Sequence, residues 1–516
     1  MKKRPIWMGC LLLAMTGSVL LFRRADAMRF QGLPVESEEQ LRQMTEGLSE
    51  TDGLWYVEGL IELDGEEIPY DRFTHTFYVS QSVSGKEYAG TFQVTDKQCD
   101  VYLQEDEALQ NKQASIREGH SFRLWFVTQE GYTTADLIFT GLPMISIWSD
   151  AGGLTEMYGR GDVVVQNPDD EDVITMSVKD SAVQVKMNYH SGTVSFKLYK
   201  KDDQEERNLD LLGLGDHTSW KLYQVHDRDG SACREMLSSY VWSCVCENER
   251  LHRDMAYAEA VIDGSYSGLY YLAPKLGKGY LDLGEDDRLY EAEDDQEDLA
   301  ERYDGAEKEA ASESRKALTE KYSVVGDEDS GNNRNALEEY ADLWDQDNQE
   351  LGQLNAVNYR DYHIWLQTVC GILSSEDDHC IIAYERSGDY EFYRMPERSK
   401  FVFGVYPARR GWESLTAAET IIEDEAYRKL AEVSGSAFEE ATAERWRTLR
   451  SGALDTERMQ QYVESCERKL TESGYIARNG DQEEYEADCA LLRQFIGQRM
   501  EYLDNQFGGF VLAVQN

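Results

Sequence analysis

Short runs of alternating apolar and polar residues dominate the first part of the chain. Between about Trp55 and Phe139 they recur as Leu54-Trp55-Tyr56-Val57, Thr76-Phe77-Tyr78-Val79 and Ser121-Phe122-Arg123-Leu124-Trp125-Phe126, separated by Gly and Asp. A period of two places alternate side chains on one face of a pleated strand, so residues 40–141 are predicted to form a small antiparallel β domain. A second series opens with Leu142-Pro143-Met144-Ile145-Ser146-Ile147. It continues through Asp172–Val178, Val183–Met187 and Val194–Tyr199, and predicts one sheet. Ala258–Leu272 has the pattern of a hairpin, because Asp263-Gly264 separates two apolar runs and both residues tolerate a left-handed turn.

The period then changes. In the last hundred residues, Ser436 and Glu439 have capping-box spacing, Phe438, Trp446 and Leu449 share one helical face, and Ser451-Gly452 ends the helix. Asp455 is placed to cap a second helix striped by Met459, Val463, Cys466 and Leu470. A third carries Leu492, Phe495, Ile496 and Leu503 and is predicted to end at Gly508-Gly509. Strands followed by helices give an α+β fold class, with residues 411–516 as its helical part.

Composition narrows the partners. The 516 residues are 41% hydrophobic, enough for a sizeable core. A net charge of -46 repels phosphate backbones and anionic lipid headgroups, which argues against nucleic acid as a partner. Eleven of the twenty residues from Glu285 to Asp304 are acidic, marking a solvated insertion at about 285–350. At the start, Lys2, Lys3 and Arg4 precede an apolar run from Ile6 to Phe22, and Ala25-Asp26-Ala27 supplies a small-x-small site. Residues 1–27 therefore read as a signal peptide or, given Arg23-Arg24, as an uncleaved anchor that would be the membrane attachment. Beyond Cys10, eight cysteines are scattered without a repeated Cys-x-x-Cys. That spacing signals neither a zinc module nor a disulfide scaffold, and buried free thiols are expected. Arg160-Gly161-Asp162 reads as a turn. No Walker loop, zincin His-Glu-x-x-His or Gly-x-Ser-x-Gly elbow is present.

Several motifs occur in a particular order. Leu142–Ile147 is followed by Leu211-Leu212-Gly213-Leu214, Trp220 and Arg234, by Asp263-Gly264-Ser265-Tyr266-Ser267-Gly268-Leu269-Tyr270, and by Arg499-Met500-Glu501-Tyr502-Leu503-Asp504. Together they resemble the CotH family of spore-coat and cell-surface proteins over Leu142–Phe507. The resemblance implies an exported protein with a kinase-like fold, a mixed sheet plus C-terminal helices, whose core spans 142–410. It also implies transfer of phosphate from ATP, with Mg, to secreted or coat proteins, and coat or envelope proteins as partners.

Phosphoryl transfer needs oxygen ligands for a divalent ion, a cation on the phosphates and an acid that orients the acceptor hydroxyl. The family supplies these largely through an N-x-D-x-x-x-x-N loop and a PWDxD-x-x-FG strand and turn. The second motif corresponds here to Pro396-Glu397-Arg398-Ser399-Lys400-Phe401-Val402-Phe403-Gly404, with Arg398 and Lys400 at both Asp positions. At an effective dielectric near 20, unit charges ~4 Å apart interact by about 4 kcal/mol, so each exchange turns a large attraction for the ion into repulsion. No metal is expected to bind there in the family manner. In the first motif Ser375 and Ile382 replace the Asn residues, leaving Asp377 in register as the candidate catalytic acid. Thr193 and Val194 stand where the family carries a Lys pair. Lys197, on the same strand, projects into the cleft or into solvent, and Arg234 pairs with a phosphate or with an acid. The candidate nucleotide-binding residues are thus Lys197, Arg234, Arg398 and Lys400. Three functions follow: a catalytically impaired pseudokinase acting through binding or assembly, an active kinase using Arg398 and Lys400 as phosphate clamps, or an envelope glycan or protein binder working through the N-terminal β domain.

Overall fold

The computed structural model describes residues 29–51, 57–149, 159–168, 181–188, 192–200, 205–225, 229–252, 254–277, 280–281, 288–292, 322–324, 355–369, 380–386, 389–396, 418–419, 421–422 and 424–514. Strands and helices are both abundant, and the fold class is α+β.

The first sheet is built on β1 (Leu33–Glu36), β2 (Thr76–Ser80), β3 (Asp100–Gln104), β4 (Ser121–Val127) and β5 (Gly131–Thr140), in the order β1-β3-β4-β5-β2. Alternate side chains such as Phe122, Leu124, Leu137 and Phe139 are buried against Ile116 of the short helix α1 (Lys112–Arg117). The expected antiparallel domain is in fact mixed. β3, β4 and β5 pair antiparallel, but β1 joins β3 and β2 joins β5 in parallel. Alternation fixes which face is buried and carries no information about strand direction.

The second series closes on itself. β6 (Met144–Ser149), β7 (Gly159–Gln166), β8 (Ser181–Asn188), β9 (Thr193–Lys200), β10 (Ser219–Gln224), β11 (Ala256–Ile262) and β12 (Ser265–Pro274) form a barrel in the order β6-β7-β8-β9-β10-β12-β11, sealed by parallel pairing of β6 with β11. Ile145, Val163, Val185, Phe196, Trp220 and Leu272 belong to one buried cluster that fills the interior. The β11–β12 hairpin turns at Asp263 and Gly264, both at positive φ (49° and 74°), as the sequence requires. Arg160–Asp162, expected as a turn, lies in β7 with its backbone paired to β6 and β8. Asp172–Val178, residues 1–28 and most of the acidic insertion lie outside the described residues. Inside the acidic stretch, however, Arg288–Ala292 is a strand rather than a solvated helix or loop. As β13 it joins β14 (Tyr322–Val324), β15 (Cys380–Arg386) and β16 (Asp389–Met395) in the order β14-β13-β15-β16.

The helices cover the outer face of β10, β11 and β12, where Tyr223, Tyr257, Leu269, Tyr271 and Ala273 join the helical core. They are α2 (Arg234–Val245), α3 (Ala356–Val369), α4 (Glu425–Ser434), α5 (Ser436–Arg450), α6 (Thr456–Glu472), α7 (Tyr475–Asn479) and α8 (Gln482–Val514). Trp365 anchors α3 on α2 by donating its ring N–H to the Ser238 carbonyl at 3.0 Å, and Trp446 ties α5 to Asp504 of α8 at 2.9 Å. The stripes Met459, Val463, Cys466, Leu470 and Leu492, Ile496, Leu503 are buried, and Asp455 caps α6. Two helix ends differ from expectation. Gly435, at φ 67°, ends α4 and begins α5 at once, so Ser436 is already helical and forms no capping box. α8 runs through Gly508-Gly509 to Val514, since two glycines weaken a helix by only about 1 kcal/mol each. Among the described helices none is long and apolar enough to cross a membrane.

Candidate functional site

Asp377, Arg398 and Lys400 lie outside the described residues, but the elements that lead to them do not. α3 ends at Val369 ahead of Asp377, the β15–β16 hairpin lies between Asp377 and Arg398, and Pro396 leads out of β16. Ile382, at the trailing Asn position, is in β15, opposite Tyr393 and Glu291.

α3, β16 and the start of α4 are locked together by a buried charge cluster. The Asn358 amide donates to the Arg394 carbonyl at 3.0 Å and accepts from the Arg394 N–H at 2.6 Å. The Arg394 guanidinium donates to Asp424 at 2.7 Å and sits 4.1 Å over the Tyr362 ring. Asp424 also takes a hydrogen bond from His363 Nδ1 at 3.1 Å and caps α4 through the Tyr427 N–H at 3.2 Å. Complete burial opposes ionisation of Asp424, yet the cation of Arg394 and the bond to His363 outweigh it and hold this carboxyl far below the usual carboxylate range. The His363 ring stacks on Tyr427 with centroids 3.7 Å apart and meets Phe507 edge-on. A His–Asp pair packed this way ties α3 to the start of α4.

The far side of the same segment is pinned as well. Gln367 of α3 donates to the Ile422 carbonyl at 2.6 Å and accepts from the Ile422 N–H at 3.1 Å, while Arg499 of α8 donates to the carbonyls of Gln367, at 2.9 Å, and Ala418, at 2.8 Å. The chain bearing Arg398 and Lys400 thus departs at Arg394 and returns at Ala418–Asp424 from a common platform on α3.

Both described nucleotide-binding candidates are held by acids. Lys197 is on the outer face of β9 with Ser195 and Tyr199, as the strand period requires, and its ammonium pairs with Glu206. Partial burial disfavours that charge, but the Glu206 contact prevails and raises the Lys197 pKa. Of the two partners open to Arg234, a phosphate or an acid, the structure shows an acid. The Arg234 side chain is 2% exposed and pairs at 3.5 Å with Asp229, whose carboxylate also accepts from the Arg234 N–H at 2.9 Å and the Ser231 hydroxyl at 2.6 Å. A guanidinium so buried fixes the start of α2.

A second buried carboxylate escaped sequence reasoning altogether. Glu259 of β11 accepts from the Thr140 hydroxyl, from Tyr266 at 2.5 Å and from Arg478 of α7 at 2.7 Å, joining the first sheet, the barrel and the helices. Nothing in an alternating strand marks Glu259, and its partners are far away in sequence. Asp424 had a signal, an Asp directly before a helix. Among the described residues no group of His, Cys, Asp or Glu is placed to hold a metal ion. Comparison of the sequence with family models and with curated proteins finds no match.

Proposed function

We propose that this chain is an exported, CotH-like protein of kinase-like fold that has lost phosphate transfer and acts at the cell surface or spore coat, binding or organising coat or envelope proteins. The observation that carries the reading is the pair of basic residues, Arg398 and Lys400, inside a motif that keeps Pro396, Phe403 and Gly404 and has Glu397 at its Trp position. The donor set there does not fit a magnesium ion, because ammonium and guanidinium groups offer it no lone pair and repel its charge. Ile382 supplies no oxygen either. The engagement of Lys197 by Glu206 and of Arg234 by Asp229 supports the same reading, since two cations expected to grip a nucleotide are already neutralised.

The test is a thermal-shift titration of the full chain with ATP and Mg²⁺ or Mn²⁺. A ligand at a hundred times its Kd stabilises the folded state by about 2.7 kcal/mol, so binding would be plain. No metal-dependent shift is expected. A metal-dependent rise in Tm that Asp377→Ala abolishes would overturn the proposal in favour of an active kinase.

A further inference from the structure

Three buried thiols meet where the helices converge. Cys233 directly precedes α2, Cys466 is in α6 and Cys489 in α8, and all three belong to one hydrophobic core. α2 and α6 pack in opposite directions. Tyr240 stacks on Tyr462 with centroids 4.4 Å apart, and the Tyr462 hydroxyl donates to the Met236 carbonyl at 3.4 Å. One turn onward in α6 is Cys466, and one turn back from Met236 is Cys233, so this pairing sets the two thiols face to face. The two cysteines are neighbours in that core, and Cys489 lies close to both. The backbone beside Cys233 is fixed from the barrel, because the Ala232 carbonyl accepts from Tyr257 at 2.6 Å and Tyr271 at 3.0 Å.

We propose that Cys233 and Cys466 are a disulfide-forming pair, closed by exchange with a disulfide-bearing oxidant such as oxidised glutathione or an extracytoplasmic thiol oxidoreductase. Either thiol can attack while the helices are still open, Cys466 among them. The Cys466 thiolate attacks one sulfur of the oxidant and expels the other as a thiolate. Cys233 then loses its proton and displaces the oxidant from the mixed disulfide. The pair gives up two protons and two electrons, and the oxidant leaves as two thiols. Both sulfurs are buried in the folded chain, so exchange precedes closure of the helices. The chemistry does not depend on the kinase-like reading; only its occurrence in the cell rests on export.

The experiment refolds the full chain in a glutathione redox buffer, alkylates free thiols under denaturing conditions, digests without reductant and maps peptides by mass spectrometry. The expected result is a cross-linked peptide joining Cys233 to Cys466, with Cys489 alkylated. The Tm of this material falls on adding reductant, and Cys466→Ser, if it folds, shows no such fall. Full alkylation of every cysteine, or a bridge between any other pair in its place, overturns the assignment; the mapping needs no variant.

Discussion

Asp424 and Glu259 are both carboxylates removed from water, and a guanidinium and a further donor reach each of them. Removing one partner of such a pair leaves the other charge buried and costs about 3–5 kcal/mol, whereas an apolar replacement of both is often neutral. Arg478→Met is therefore expected to lower stability by that amount in urea denaturation, and Glu259→Leu with Arg478→Met to recover much of it. Asp424 adds a pH dependence. Its folded pKa lies below its unfolded value of about 3.9, so its stabilisation is complete above about pH 4 and is lost as the pH falls toward the folded value. Asp424→Asn should be less stable than the parent at pH 7, and the difference between their urea midpoints should narrow below pH 4. Neither carboxylate lies in a motif. The sequence pointed to Asp377, Arg398 and Lys400 because a motif carries its own register, whereas the Asp424 cluster is assembled by α3, β16 and α4 only once they have packed.

The elements themselves were legible wherever a local rule decides them. Asp263-Gly264 made the β11–β12 turn, Asp455 capped α6, and the Met459 to Leu470 stripe became core. Expectation failed where a neighbour decides. Ser436 lost its capping role to Gly435, which α4 had already placed, and the direction of β1 and β2 was set by the edges they join. The turn between α6 and α7 is a further case. Gly474 has φ +77°, and a Cβ there would stand 1.8 Å from the Ile116 carbonyl oxygen of α1. Gly474→Ala adds a left-handed penalty of about 1–2 kcal/mol to that collision. It is expected to lower the urea midpoint clearly, and Ala substitution at Gly452, where the nearest atom is 3.7 Å away, far less.

Across the whole molecule, the first sheet is bonded to both the barrel and the helices. Arg72 lies 4.5 Å over Trp148 and donates its backbone N–H to the Gly264 carbonyl at 2.9 Å, and Tyr78 stacks on Tyr266 at 4.7 Å. The Ser80 N–H donates to Gln166 at 2.8 Å and its hydroxyl to the Leu142 carbonyl at 2.6 Å, while the Gly141 N–H donates to the Ser473 carbonyl at 3.0 Å. Residues 142–516 expressed alone would uncover Met144, Val261 and Glu259. They are expected to bind a hydrophobic dye strongly and to melt below the full chain, and a truncated protein matching the full chain in both measurements would refute that dependence. The barrel seam governs something else, the order of events in time. β6 bonds to β11, so during synthesis the first barrel strand is made long before the strand that seals it. Until then the edge of β6 that β7 does not cover is open to foreign strands, and closure must await contacts distant in sequence, which fold slowly. Any ribosome pause before Ile262 therefore lengthens the interval in which this chain is most prone to aggregate.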